Sequence, residues 1–175
     1  MPFSSRTLPA AIVTTGLLVV SACGDDVDDE PGDPGTGASV PTSLDPCGLL
    51  GAETVAEALG AGATPTAEQT ADDADRVECV WTVEDTFAEL RVLVWEPPDT
   101  DALTRAEETV EVGERTAYVQ GSNESQCLLD VEADGGYWVQ LELDADDTLA
   151  SGDFCASSAA PLAEEVLAAV AEGSA

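Results

Sequence analysis

The chain has 175 residues, with 36 acidic side chains against 5 basic ones, and its formal net charge is −31. Such a polyanion offers no cationic surface to a phosphate backbone, which excludes nucleic acid as a partner. The sequence contains neither histidine nor lysine, so catalytic sites that depend on a histidine base or an activated lysine are also excluded.

Residues 1–22 predict a signal peptide. Residues 1–6 carry one positive charge, and the apolar stretch 7–20 is shorter than the roughly 20 residues that a membrane-spanning helix needs. The stretch runs into the tetrapeptide VSAC, which ends at Cys23 and matches a bacterial lipobox. We therefore expect cleavage before Cys23 and acylation of its thiol. The alternative is an ordinary secretory signal followed by a structural cysteine.

A lipid on Cys23 would hold the protein at the outer face of the cytoplasmic membrane, because two acyl chains give stable attachment. The membrane would be a partner only through this lipid, since anionic headgroups repel an acidic surface. The acids occur in every segment and lack EF-hand spacing. This distribution favours adaptation to a saline environment, in which salt screens repulsion. The alternative is a surface for cations or basic ligands.

Residues 23–44 predict a disordered tether, because glycine, proline and acidic residues dominate and almost nothing apolar is available to bury. Residues 45–175 are then long enough for one domain. This division gives a signal peptide at 1–22, the lipidated cysteine and tether at 23–44, and a single folded domain at 45–175.

Four cysteines remain in the predicted domain: Cys47, Cys79, Cys127 and Cys155. An even number in an extracytoplasmic domain favours two disulfides. Zinc binding is not expected, because the chain has no CxxC pair and no histidine. Three pairings are possible. We prefer Cys47–Cys79 with Cys127–Cys155, because each bond would tie the start of a helix to a strand.

Two helices flank the predicted strands. Residues 51–60 have apolar positions at helical spacing and end at Gly60, a natural stop. Residues 161–171 place Leu162, Val166 and Val170 on one side, with Ser157 or Ser158 as the expected cap. Between them the sequence predicts a short helix or ordered loop at 101–108 and strands at 78–83, 89–95, 116–120, 126–133 and 137–143.

These elements predict an α+β fold with the order α-β-β-(α)-β-β-β-α, in which helices flank an antiparallel sheet of about five strands. Its last hairpin can close in two ways. A two-residue turn would mix apolar and polar residues on each face. A three-residue Asp134–Gly136 loop places all core residues on one face, with the pairs Val131–Val139, Leu129–Leu141 and Cys127–Leu143, and leaves Asp130, Gln140 and Glu142 on the other.

The motifs DPCGLL at 45–50 and VAEALG at 55–60, followed by Cys79-Val80-Trp81, resemble a family of small actinobacterial lipoproteins of unknown function. The likeness covers most of residues 45–170 and implies a fold and a compartment but no activity. The arrangement is also similar, in fold alone, to the disulfide-bonded extracellular sensor domain of mycobacterial receptor kinases. The chain lacks a kinase segment, so signalling is not implied.

A binding or sensor-like domain without enzymatic activity is the function that we expect. Trp138 falls on the sheet face opposite the predicted core, and Trp95 and Tyr118 are expected beside it. Such aromatic side chains could hold an apolar small molecule or a cell-wall component. The alternative is that a helix covers them as ordinary core, and the same holds for Trp81 beside the Cys79 bridge.

Two other classes of function are alternatives. A carboxylate-based cell-wall or glycan hydrolase would use paired acids, but the domain is small for such a cleft, and adjacent pairs arise by chance in so acidic a chain. A structural envelope protein would need no site. We predict no catalytic residue, metal or cofactor, and expect a monomer. The candidate pairs are Asp72-Asp73, Glu107-Glu108 and Asp146-Asp147.

Overall fold

Seven antiparallel strands form one sheet in the computed structural model of the protein. Two meanders make up this sheet, and they join where β3 pairs with β7, in the order β1-β2-β3-β7-β6-β5-β4. The strands are β1 (Thr66–Asp73), β2 (Arg76–Thr82), β3 (Glu89–Trp95), β4 (Glu108–Val112), β5 (Arg115–Ser122), β6 (Gln126–Glu132) and β7 (Trp138–Asp144).

The structure describes residues 40–41, 43–60, 62, 64–97 and 99–173. All of them belong to one compact unit, Thr36–Ala175. The predicted signal peptide, Cys23 and most of the predicted tether lie outside the described residues.

The folded unit begins before the predicted boundary at residue 45. Val40 and Leu44 are buried and belong to the hydrophobic core, with 2% and 9% of their surface exposed. Apart from Val27, they are the large apolar side chains of residues 23–44, a segment otherwise rich in glycine, proline and acids. The boundary at residue 45 was predicted from the average composition of residues 23–44, which does not show that Val40 and Leu44 belong to the core.

Helices cover one face of the sheet. α1 (Ala52–Leu59) buries Val55 and Leu59, and α3 (Ala160–Gly173) buries an apolar stripe that includes Val166 and Val170. The remaining helix, α2 (Thr100–Leu103), buries none of its residues. Short 3-10 turns occur at Pro46–Gly48 and Asp147–Leu149. The core lies between the sheet and the helices α1 and α3.

The end of α1 follows the predicted pattern. Gly60 adopts a left-handed backbone with φ of 68°, and its N–H donates to the carbonyls of Ala56 and Glu57. This conformation suits glycine because it has no Cβ.

Both preferred disulfides are confirmed, as Cys47–Cys79 and Cys127–Cys155. The first connects the turn before α1 to β2, and the second connects the segment before α3 to β6. Each bond therefore anchors a helical segment to the sheet on the core face.

The three-residue hairpin is also confirmed. β6 and β7 pair Val131 with Val139 and Leu129 with Leu141, and the N–H of Ala133 donates to the carbonyl of Tyr137 at 2.9 Å. Apolar alternation decided the register, because a shift by one residue would move every core side chain to the opposite face.

The α+β fold is confirmed, but the estimate of about five strands was too low. The two missed strands are β1 and β4, which form the edges of the sheet. The sequence of β1, TAEQTADD, has no large apolar residue, and seven of its eight positions are exposed. An edge strand whose side chains face solvent lacks the apolar alternation that marks a half-buried strand.

The closing helix begins earlier than predicted, and the expected cap at Ser157 or Ser158 was wrong. A π-helical turn, Cys155–Ala159, contains both serines and continues directly into α3. Pro161 cannot donate a backbone hydrogen bond to the preceding turn, which accounts for a wider turn just before it.

Candidate functional site

We call the face of the sheet opposite α1 and α3 the second face. The strand registers bring one side chain from each of five strands into a row across this face. From β2 to β5 the row consists of Glu78, Leu93, Gln140, Asp130 and Tyr118. The row therefore contains two acids, an amide and an aromatic ring among its members.

The three aromatic residues predicted as a site all lie on the second face. Trp95 is directly opposite Trp138 in the β3–β7 pairing. The ring centroids of Tyr118 and Trp138 are 6.0 Å apart, with planes inclined by 36°. Trp138 is only 3% exposed, whereas Trp95 and Tyr118 are half-buried. The structure thus brings the three together as a partly covered cluster, while α1 and α3 pack on the opposite face.

Asp130 is the buried acid beside this aromatic cluster. Its side chain is fully buried, and its Oδ1 accepts a hydrogen bond from Gln140 Nε2 at 3.0 Å. Its Oδ2 is also buried and has no hydrogen-bond partner among the residues that the structure describes. Burial raises the pKa of Asp130, and the side-chain amides of Gln140 and, to a smaller extent, Gln120 offset this only in part. A buried acceptor without a donor is costly, so this oxygen requires an explanation.

The connection from β3 to β4 reaches the second face near Asp130. Its described residues are 96–97 and 99–107, and it leads from the third strand of the sheet to the far edge. Gln120 Nε2 donates to the carbonyl of Leu103 at 3.0 Å. Gln120 also interacts with Asp130. One glutamine therefore links the crossing connection to the buried acid.

A groove of about 230 Å³ lies at the ends of β5, β6 and β7. Leu128 and Glu142 line it, and they lie two positions along their strands from Asp130 and Gln140 on the same face. A bulge in β5 places Gly121 in the wall, where no heavy atom stands within 4 Å of the position of an added Cβ. The groove therefore lies along β6 and β7 from the buried carboxylate, two residues away on the same face.

The other acid in the row, Glu78, is well compensated. Its Oε2 accepts from Thr70 Oγ1 at 2.7 Å and from Arg76 at 3.0 Å, and Arg91 Nε lies 3.7 Å from its Oε1. Burial alone would raise the pKa of Glu78, but Thr70 and the two arginines outweigh burial and lower it. Arg91 also pairs with Glu89 at 2.9 Å and Glu142 at 3.4 Å.

The acid pairs considered for hydrolysis are separated in the fold. Two of them lie at opposite edges of the sheet, on β1 and at the start of β4, and the third follows β7. Asp146 accepts from the backbone N–H of Thr148, which lowers its pKa. The edge pairs are Asp72-Asp73 and Glu107-Glu108, and the third is Asp146-Asp147.

Within the described ranges, no three metal-ligating side chains come close enough to hold an ion. In the same part of the chain, no helix combines the length and the apolar character needed to cross a membrane.

A protein-family profile described as "Protein of unknown function (DUF3558)" matches residues 18–169. The chain belongs to this family. Neither a curated protein nor a solved structure matches the chain. The description of the family assigns no activity to any residue of the second face.

The position of Asp130 in this DUF3558 domain was predictable from the sequence, but its burial beside the aromatic cluster was not. Strand alternation put it on the face away from the core, among many other acids. Its burial depends on neighbours from other strands and on the distant connection that ends at β4. The one available signal was an acid placed among aromatic residues on a common face, in a register that was predictable.

Proposed function

We propose that this DUF3558 protein is a lipid-anchored extracytoplasmic lipoprotein whose folded domain binds a ligand on the second face without transforming it. The observation that carries the binding role is the buried Asp130 Oδ2, which lacks a partner beside the Tyr118–Trp138 pair. Buried polar groups are normally satisfied, and perturbed acids in apolar surroundings are enriched at functional sites.

Two features support the anchor and the compartment. The VSAC motif follows directly after an apolar stretch of signal-peptide length. The two disulfides of the domain are typical of proteins that fold in an oxidising compartment. The resemblance to small actinobacterial lipoproteins agrees with both features, and we place the domain at the outer face of the cytoplasmic membrane.

The anchor is tested by the variant Cys23→Ala in cells fed an alkynyl fatty acid. We expect the wild-type protein to be labelled and to sediment with membranes, whereas Cys23→Ala loses the label and the membrane association. Ser21→Ala is the matched control, because it keeps a small residue in the same motif and should remain labelled. Labelled, membrane-bound Cys23→Ala would contradict the proposed anchor.

The binding role is tested by native mass spectrometry of the protein extracted from the cells that produce it. We expect a bound small molecule in the wild type and a reduced occupancy in Trp95→Ala. Phe87→Ala is the matched control, because Phe87 is an aromatic residue with 97% exposure in the turn between β2 and β3. A ligand-free mass for the wild type would contradict the ligand-carrier role.

A further inference from the structure

In the described part of the chain, no basic side chain pairs with Asp130 on the second face. The nearest charged positions on that face, two residues along β6 and diagonally across on β7, are the acids Glu132 and Glu142. Arg76 and Arg91 pair with other acids, and Arg115 pairs with Asp134 at 2.6 Å. Within the described residues, Arg105 on the crossing connection forms no ion pair. The cation that would balance the Asp130 carboxylate is therefore absent from the described part of the chain.

Aromatic rings flank the same carboxylate. Tyr118 is its direct partner on β5, and Trp138 lies diagonally across from it on β7, next to Gln140. An ammonium group near the faces of such rings is stabilised by their quadrupoles, more strongly when it is desolvated. The Asp130 carboxylate can accept from the charged N–H group of an organic cation, and the two rings can contact the apolar part of the same molecule.

The surroundings favour the approach of a cation. The chain carries a net charge of −31, which raises the local concentration of cations at its surface. A groove of about 230 Å³ is lined by Leu128 and Glu142, which lie two positions along β6 and β7 from Asp130 and Gln140 on the same face. On the other side, the connection is fixed to this face by the Gln120–Leu103 hydrogen bond, and α2 buries none of its residues. Little packing opposes an adjustment of this segment.

We propose that the second face recognises an organic cation that bears an N–H donor, a primary or secondary ammonium, with Asp130 Oδ2 as its acceptor and Tyr118 and Trp138 beside it. This inference rests on the proposed binding function and specifies the class of ligand. A quaternary ammonium is a poorer ligand, because it brings charge without the N–H that Oδ2 requires. A neutral molecule of the same shape lacks both the positive charge and the charged N–H donor.

The test uses the detergent-solubilised full-length mature protein with ¹⁵N-labelled tryptophan, whose indole signals are followed by NMR. Trp95 and Trp138 report on the second face, and the core residue Trp81 serves as an internal control. Three probes of similar size are titrated in turn: benzylammonium, benzyltrimethylammonium and benzyl alcohol.

We expect benzylammonium to shift the signals of Trp95 and Trp138 but not that of Trp81, and to bind about tenfold or more tightly than the other two probes, as for a charge-assisted hydrogen bond. Asp130→Asn should weaken benzylammonium binding by about the same factor. Glu132→Gln is the matched control, an exposed acid on the same strand and face, and its affinity should change less than about twofold, as for a screened exposed charge.

The inference would be overturned by equal binding of benzylammonium to wild type and Asp130→Asn. Equal shifts with benzyl alcohol and benzylammonium would overturn it too, but would leave the proposed binding role intact, with an apolar ligand. If no probe shifts Trp95 or Trp138, the cation class is wrong. The binding role itself is then decided by the native mass of the extracted protein.

Discussion

Strands β2 and β6 are built alike, but the buried acid of β2 has cationic partners and the buried acid of β6 has none among the described residues. Each strand has a disulfide cysteine on the core face and a buried acid on the second face. On β2, Glu78 directly precedes Cys79. On β6, Asp130 follows Cys127 by three residues. Glu78 on β2 is compensated by a hydroxyl and two guanidinium groups. Asp130 on β6 has one amide donor within hydrogen-bonding distance.

The difference separates a structural acid from a candidate functional one. A buried carboxylate with cationic partners and satisfied oxygens is tolerated as part of the fold. A buried carboxylate without a countercharge costs stability, and folded proteins retain such costs chiefly at sites with a function. The pKa values reflect this contrast, since that of Glu78 is lowered by its partners while that of Asp130 is raised by burial.

The largest expected effects test the similarity of the two strands. Replacing both cysteines of either disulfide by alanine should lower the free energy of unfolding by about 3 kcal/mol, because the two bonds close loops of similar length. The sequence separations are 32 and 28 residues. Guanidinium denaturation of both double variants measures this loss. A loss confined to one of the bonds would break the similarity of β2 and β6.

Glu78→Gln should lower the free energy of unfolding by about 1–2 kcal/mol at neutral pH, a range reduced because Arg76 and Arg91 are partly exposed. The folded-state pKa of Glu78 lies below the ordinary glutamate value of 4.5. Its stabilisation is therefore present above the unfolded pKa and is lost as the pH falls through the folded pKa. Urea denaturation between neutral and acidic pH should show the two proteins converging. A constant difference would contradict compensation by charge.

Asp130→Asn should raise the free energy of unfolding by on the order of 1 kcal/mol at neutral pH, because it removes a buried charge and keeps the shape and the acceptor for Gln140. The folded-state pKa of Asp130 is raised above the ordinary value of 3.8. The stability of the wild type is therefore highest below the unfolded pKa and falls as the pH rises through the folded-state pKa. The gain should disappear in acid, where Asp130 is protonated.

The control for this gain is Glu132→Gln, which should leave stability unchanged at both pH values because Glu132 is exposed. Thermal unfolding of the three proteins at pH 7 and pH 3 compares them. Destabilisation by Asp130→Asn at pH 7 would mean that the carboxylate is compensated after all.

The smallest expected effect concerns the crossing connection. Gln120→Ala removes the hydrogen bond to Leu103 and should cost about 0.5 kcal/mol, as for a single exposed bond. Hydrogen exchange followed by mass spectrometry should show faster exchange in α2 than in the wild type. Gln126→Ala, a glutamine that bonds Asp144 instead, should leave α2 unchanged. Unaltered exchange in Gln120→Ala would show that other contacts hold the connection.

The part of the fold that the sequence predicted is the part where apolar alternation is strong. The β6–β7 register followed from which pairing puts Leu129 and Val131 on one face. Strand β4, ETVEV, was missed because only Val110 and Val112 are apolar and the segment adjoins an acidic run that also suits a helix. Burial was predictable for side chains that face the helices, but not for those on the second face.

The candidate site was predicted only in its aromatic part. Alternation placed Trp138 opposite the core and located Trp95 and Tyr118 with it. The isolation of Asp130 could not be predicted, because it depends on which arginines reach which acids across the sheet. Arg91 sits two strands from Asp130 and is occupied by Glu78, Glu89 and Glu142, a fact that only the register of three strands reveals.

The most direct test of the contrast between β2 and β6 is a pH titration of ¹³C carboxyl chemical shifts for Glu78 and Asp130 in one sample. We predict that Asp130 titrates above the ordinary aspartate value and Glu78 below the ordinary glutamate value, because the first lacks a countercharge and the second has two. Ordinary values for both, or the opposite order of shifts, would contradict the assignment of Asp130 as the uncompensated acid of the second face.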